Sequence, residues 1–122
     1  MKISPPTKIY LKDSPLHNLG VFSSQKIKKG EVIDTCPFLS FPQNSKEKIP
    51  VFSNYTFCYP RSENWTIHAL VLGYGSYYNH SENPNVDWYT NEEDQTFVYF
   101  AINDINDEEE LLINYGNGSL FE

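Results

Sequence analysis

The chain has 122 residues, a formal charge of −7 at neutral pH and an isoelectric point near 4.8. That length holds one small domain, and the acidic balance argues against general nucleic-acid binding, which wants a basic face, and favours a cationic partner. Apolar residues make up 39% and aromatics 16%, with eight Pro and six Gly, so the expected core is built around rings in short strands and tight turns.

No run is long and apolar enough to span a membrane. No secretory leader is legible at the start, which points to an intracellular protein, cytoplasmic or nuclear, and against a disulfide between Cys36 and Cys58. The three His and two Cys show no zinc-ligand spacing, so no metal is expected. In that setting the Asn-X-Ser/Thr triplets at Asn54, Asn64, Asn79 and Asn117 read as coincidence rather than glycosylation sites.

In chain order, residues 1–7 form a flexible tail. Lys8 to Lys12 alternates as a strand does, and Asp13-Ser14-Pro15 turns it. His17 to Phe22 is a loop feeding a second strand, and Glu31 to Cys36 a third, after the basic turn Lys26 to Gly30. Pro37 to Pro50 reads as an irregular connector, and Val51 to Tyr59 returns to strand composition. Trp65 to Leu72 is nearly continuous apolar sequence, two turns of helix or a buried strand, with His68 a packed core histidine. Val86 to Tyr89 and Thr96 to Ile102 form a hairpin with an acidic tip at Asn91 to Asp94. Phe97, Tyr99 and Ala101 would lie on one face of its second strand, and Val98, Phe100 and Ile102 on the other, with both faces covered. The charge run Asp104 to Glu110 is a solvated turn, and Leu111 to Gly116 a short apolar strand.

The segment from Leu72 to Asn85 has a different character. Gly, Asn, Ser, Pro and His are interleaved there with Tyr74, Tyr77 and Tyr78. A surface loop carries few aromatics and a core segment few Asn, so both together point to a buried, hydrogen-bonded pocket floor.

The run Asn79-His80-Ser81, two residues, Pro84-Asn85 resembles the signature of the SET-domain lysine methyltransferases. Leu19-Gly20-Val21-Phe22 followed by Ile27 to Ile33 is similar to the family's opening, where a Gly-X-Gly loop approaches the cofactor. Asn18 stands at the first Gly of that loop, and Asn is the non-Gly residue that best tolerates left-handed dihedrals. Tyr55-Thr56-Phe57 resembles a Tyr-X-Phe in the variable insert, and Glu109-Glu110-Leu111 with Tyr115-Gly116 resembles the C-terminal motif. The resemblance runs from Lys8 to Gly116 and looks closest to the short free-standing SET proteins of bacteria and large DNA viruses.

It implies a mainly β SET-domain fold over 8–116, of several small twisted sheets with a C-terminal pseudoknot and little helix. The segment 79–85 would wrap the strand Leu111 to Tyr115. A short segment, 117–122, without zinc-binding cysteines would follow. The implied reaction is S-adenosyl-L-methionine-dependent methyl transfer to a lysine amine, on a basic tail such as that of a histone or ribosomal protein. The alternative is a catalytically inactive SET-like peptide-binding module. Tyr115 and Tyr55 would be catalytic. Leu19, Gly20, Asn79, His80, Tyr115 and Phe121 would bind cofactor, with Phe121 covering the adenine. Tyr55, Tyr77, Trp88 and Ile113 would line the lysine channel. Asn114 and Ser76 depart from the acidic and Arg residues often found at those positions. The partner would be a lysine-containing protein or peptide, with no direct nucleic-acid binding and no membrane, and the chain a monomer or homodimer.

Overall fold

The computed structural model describes residues 3, 5–16, 18–42, 56–59 and 67–115, with the side chains of residues 41, 42, 56–59, 67 and 68 left aside. His17, Tyr55, Gly116 and Phe121, and the side chain of His68, lie outside that description.

Among the described residues every regular element is a strand. In order these are β1 (Ile9–Asp13), β2 (Leu19–Ser23), β3 (Val32–Pro42), β4 (Thr56–Tyr59), β5 (Ile67–Val71), β6 (Asn79–His80), β7 (Val86–Asn91), β8 (Thr96–Ala101) and β9 (Glu110–Ile113). They form a four-stranded sheet in the order β1-β2-β9-β6 and a five-stranded sheet in the order β4-β5-β3-β8-β7. One buried cluster draws on both: Val21, Leu111 and Ile113 from the first, Ile33, Phe38, Phe97 and Tyr99 from the second.

Of the open choice over Trp65 to Leu72, Ile67–Val71 is strand β5, and Trp65 and Thr66 lie outside the described residues. Pro37 to Pro42 is not a connector. β3 continues through it and changes partner, pairing with β8 from Val32 to Pro37 and with β5 from Phe38 to Pro42. Proline lacks a backbone donor, which discourages a strand reading. Here its carbonyl still serves: the N–H of Leu72 donates to Pro37 O at 2.9 Å.

The hairpin of β7 and β8 pairs Val86 with Ala101 through Asn91 with Thr96. Aromatic rings fill its inner face. Trp88 stacks on Phe97 at 4.8 Å, Phe38 meets Phe97 edge-on at 5.2 Å, and Tyr78 stacks on Tyr99 at 4.5 Å. The expected covering of β8 holds: Phe97, Val98, Tyr99 and Ala101 are buried and Phe100 is partly so.

The stretch Asp104 to Glu110 is only partly a solvated turn. Ile105 is buried and exchanges backbone hydrogen bonds with Ile27 at 2.8 and 2.9 Å. Glu109 and Glu110 are drawn into contacts described below. An alternation reading misses this because the acidic residues mask one buried Ile and two carboxylates with fixed partners.

A buried polar cluster lies beside the Tyr78–Tyr99 stack. The Cys36 thiol donates to Asp34 Oδ2 at 3.2 Å, and the Tyr99 hydroxyl donates to Gly75 O at 3.0 Å. Burial pushes the Asp34 carboxyl above its ordinary value, and burial with the neighbouring Asp34 pushes up the Cys36 thiol. Tyr78 Oη has no hydrogen-bond partner among the described residues. Leaving a buried hydroxyl unpaired costs about 1–3 kcal/mol. Tyr78→Phe keeps the ring stack and removes that cost, so thermal unfolding should shift upward by ~3 °C or more. A lower melting temperature would show that the hydroxyl contributes a bond of its own.

Candidate active site

The strand β9 is gripped from two sides. β2 pairs with it antiparallel, Val21 against Leu111 and Phe22 against Glu110. β6 pairs with it parallel, Asn79 against Leu112 and His80 against Ile113. Beyond β6 the grip continues, with Ser81 N donating to Ile113 O at 2.9 Å and Asn85 N to Leu112 O at 3.2 Å. The segment 79–85 thus wraps the C-terminal strand, which brings together stretches some thirty residues apart.

Asn85 secures the wrap. Its Nδ2 donates to Glu109 Oε2 and to Glu110 O, both at 2.9 Å, and its Oδ1 accepts from Leu112 N at 2.7 Å. Its own carbonyl accepts from Ile102 N at 2.9 Å. Glu109 adds a second tie, accepting from Asn106 N at 3.0 Å, while its N–H donates to Ser23 Oγ at 3.0 Å.

At the end of β9 the chain turns at Tyr115, which is 55% exposed. Two bonds fix it. Its N–H donates to His80 Nδ1 at 2.9 Å and its hydroxyl to Tyr78 O at 2.5 Å. The rings of His80 and Tyr115 lie 5.2 Å apart. With Nδ1 engaged as acceptor, a neutral His80 carries its proton on Nε2 and presents a donor outward. The carbonyl that holds Tyr115 belongs to a residue whose side chain is locked in the core by its stack on Tyr99. The core thereby sets where the Tyr115 oxygen sits.

The third part is the turn before β2. Asn18 adopts φ of +39°, the left-handed region Asn tolerates, and its carbonyl accepts from Ser14 N at 2.7 Å. At Gly20 an added Cβ would lie 2.3 Å from Glu110 Oε2 and 3.0 Å from Asn79 Nδ2, so the position admits only glycine without moving them. Asn79, 6% exposed, donates through Nδ2 to Leu19 O at 3.3 Å and to Glu110 Oε2 at 2.9 Å.

The structure therefore brings Leu19, Gly20, Asn79, His80 and Tyr115 into one connected group. Ile113 is buried two residues before Tyr115, and Tyr77, exposed, precedes Tyr78 just after the turn 73–76. Trp88 is not part of this group: it is 5% exposed and packed on Phe97 in the hairpin core. Glu110, Ser14 and Tyr78 join the site without being expected as cofactor, channel or catalytic residues, although Glu110 stands in the C-terminal motif and Tyr78 in the aromatic segment before Asn79. Ser14 reads from the sequence only as part of a turn. No local pattern links residues 14 and 110.

Curled small sheets with a C-terminal strand held by an Asn-His segment define a SET-type methyltransferase fold. The chain belongs to the SET-domain family of protein-lysine methyltransferases: the family profile described as SET domain matches residues 18–116. A curated relative, a histone-lysine N-methyltransferase of Schizosaccharomyces pombe specific for H3 lysine-37, is 30% identical over 115 residues, covering 92% of this chain and 76% of that protein. A solved Plasmodium falciparum structure, described as a histone methyltransferase, superposes with a TM-score of 0.72 at 36% identity, over 90% of this chain and 98% of that one. The fold is also similar to a chain in a humanized mutant of the Chaetomium thermophilum Polycomb Repressive Complex 2, with a TM-score of 0.75 at 21% identity over 96% of this chain and 16% of that one.

Proposed function

We propose that the chain transfers a methyl group from S-adenosyl-L-methionine to the side-chain amine of a lysine in a basic protein tail, such as that of a histone. The observation that supports this best is the convergence of Tyr115, His80, Asn79 and the Leu19–Gly20 backbone on one wrapped strand. The donor set suits such a cofactor. Amide, imidazole and backbone groups complement the edge of a purine, and a side-chain-free Gly20 lets Glu110 and Asn79 close up against the β2 backbone. Leu19, Gly20, Asn79 and His80 would hold the cofactor. When bound, it supplies an electrophilic methyl on a positively charged sulfur.

The Tyr115 hydroxyl spends its hydrogen on Tyr78 O. What it can offer a ligand is oxygen lone pairs, which attract the partial positive charge on a sulfonium methyl or on a lysine ammonium. A lysine has a pKa about three units above neutrality, so freeing its lone pair costs about 4 kcal/mol. A channel poor in water lowers that cost, and a fixed near-attack pose supplies much of the rest. Ile113 and Tyr77 are the described candidates for the channel wall. Tyr55 and Phe121 keep their expected roles as part of this proposal.

The acidic surface would steer basic substrates. Glu92, Glu93, Asp94, Asp107 and Glu108 are exposed, whereas Glu109 and Glu110 are committed to internal bonds. Incubation with methyl-labelled cofactor and histone or neutral lysine peptides tests both points. Label should enter lysine, faster on the basic substrate, and that advantage should shrink as salt rises because charges more than roughly 8 Å apart are largely screened at physiological ionic strength. Cofactor binding without any transfer would instead support the inactive peptide-binding module.

A further inference from the structure

Glu110 is a carboxylate of the site with a partner on each oxygen, and nothing in the proposed reaction uses it. It sits half-buried at the start of β9, in the space left by the missing side chain of Gly20. Its Oε1 accepts from the Ser14 hydroxyl at 2.9 Å and its Oε2 from Asn79 Nδ2 at 2.9 Å. Ser14 is held in turn, since its Oγ accepts from Leu16 N at 3.0 Å. One carboxylate therefore joins the turn after β1, the β2 opening and the central segment, across 96 and 31 residues of sequence.

The consequence falls on Asn79. An Asn side chain can face a ligand with its NH₂ or with its oxygen, and the two choices recognise opposite partners. Here both amide hydrogens go to acceptors within the protein, Glu110 Oε2 and Leu19 O. Asn79 can then meet a ligand only as an acceptor, through Oδ1, whose two lone pairs allow more than one bond. The group it receives must be an N–H or O–H donor. A carboxylate at position 110 favours this orientation because it accepts and cannot donate.

We propose that Glu110 is a positioning residue of the cofactor site: it orients the Asn79 amide so that Oδ1 receives an amino group of the bound cofactor, and Ser14 holds the carboxylate in place. This rests on the cofactor reading above. The test is calorimetric titration with S-adenosylhomocysteine, which needs no turnover, together with thermal unfolding of each variant.

Glu110→Ala should raise the dissociation constant about tenfold. Glu110→Gln, whose amide can accept from Asn79 and donate to Ser14, should stay within about threefold of wild type. A role acting through Asn79 also predicts non-additivity. In an Asn79→Ala background, Glu110→Ala should change the constant less than twofold. A merely structural role would lower the melting temperature of Glu110→Ala without this pattern in affinity. Should Glu110→Ala fail to fold, Ser14→Ala decides in the same cycle, with an expected rise of about threefold that disappears beside Asn79→Ala. An unchanged constant, or effects that multiply independently of Asn79, overturns the inference while leaving the cofactor reading intact. If the wild-type chain does not bind the ligand, the cofactor reading falls and the inference with it.

Discussion

Tyr115→Phe is expected to lower the rate of methyl transfer by ~10²-fold or more while leaving the fold and cofactor affinity nearly unchanged. The magnitude follows from removing one preorganised polar group at a site where charge is redistributed in the transition state. The hydroxyl is placed by its bond to Tyr78 O at 2.5 Å, and the backbone by the bond from Tyr115 N to His80 Nδ1. A phenylalanine keeps the second and loses the first. It also leaves the ring, already 55% exposed, free to stay where it is. The loss should therefore appear in the single-turnover rate, with dissociation constant and melting temperature close to wild type. Turnover within threefold of wild type would remove Tyr115 from the chemistry.

The largest effect on stability is expected at Asn85. Its side chain makes three bonds to β9 and Glu109, and the residue is 8% exposed. Alanine would remove all three and leave the N–H of Leu112 and one acceptor at Glu110 unpaired in partly buried surroundings. At about 1 kcal/mol per lost bond, with a further penalty for buried groups left unpaired, the cost is about 3 kcal/mol. For a chain of this size that is a fall in melting temperature of roughly 10 °C. Asn85→Asp is an informative companion, because it keeps the acceptor for Leu112 N but sets a negative charge beside Glu109. It should be as damaging as alanine or worse above the carboxylate pKa range. A melting temperature within 2 °C of wild type for Asn85→Ala would mean that backbone pairing alone holds the wrap.

Much of the architecture is legible in the sequence because it is local. β1, β2 and the β7–β8 hairpin follow from alternation and turn residues, whose effects act between neighbours in the chain. The left-handed turn at Asn18 could be anticipated for the same reason. The partner change within β3 could not. Whether Pro37 interrupts a strand depends on which groups of other strands meet its carbonyl, and Leu72 is 35 residues away by number.

The candidate site divides along the same line. Asn79, His80 and Tyr115 stand out through resemblance, since their types and order form a recognisable motif. Trp88 shows the reverse case: an aromatic near a motif can enter a channel or a core, and its stack on Phe97 places it in the core.

By itself, then, the sequence determined a small, acidic, strand-rich domain and the residues of a SET motif, because periodicity, turn chemistry and motif order are properties of short stretches. The resemblance implied that residues 79–85 wrap β9. Only the tertiary structure decided that Asn85 ties that wrap to Glu109, Glu110 and Leu112, that the core-locked Tyr78 supplies the carbonyl holding Tyr115, and that Glu110 spans Ser14 and Asn79. Those are contacts between groups remote in the chain. They form because the paired strands and their shared buried core bring the groups within hydrogen-bond reach, and no pattern of neighbours encodes that distance.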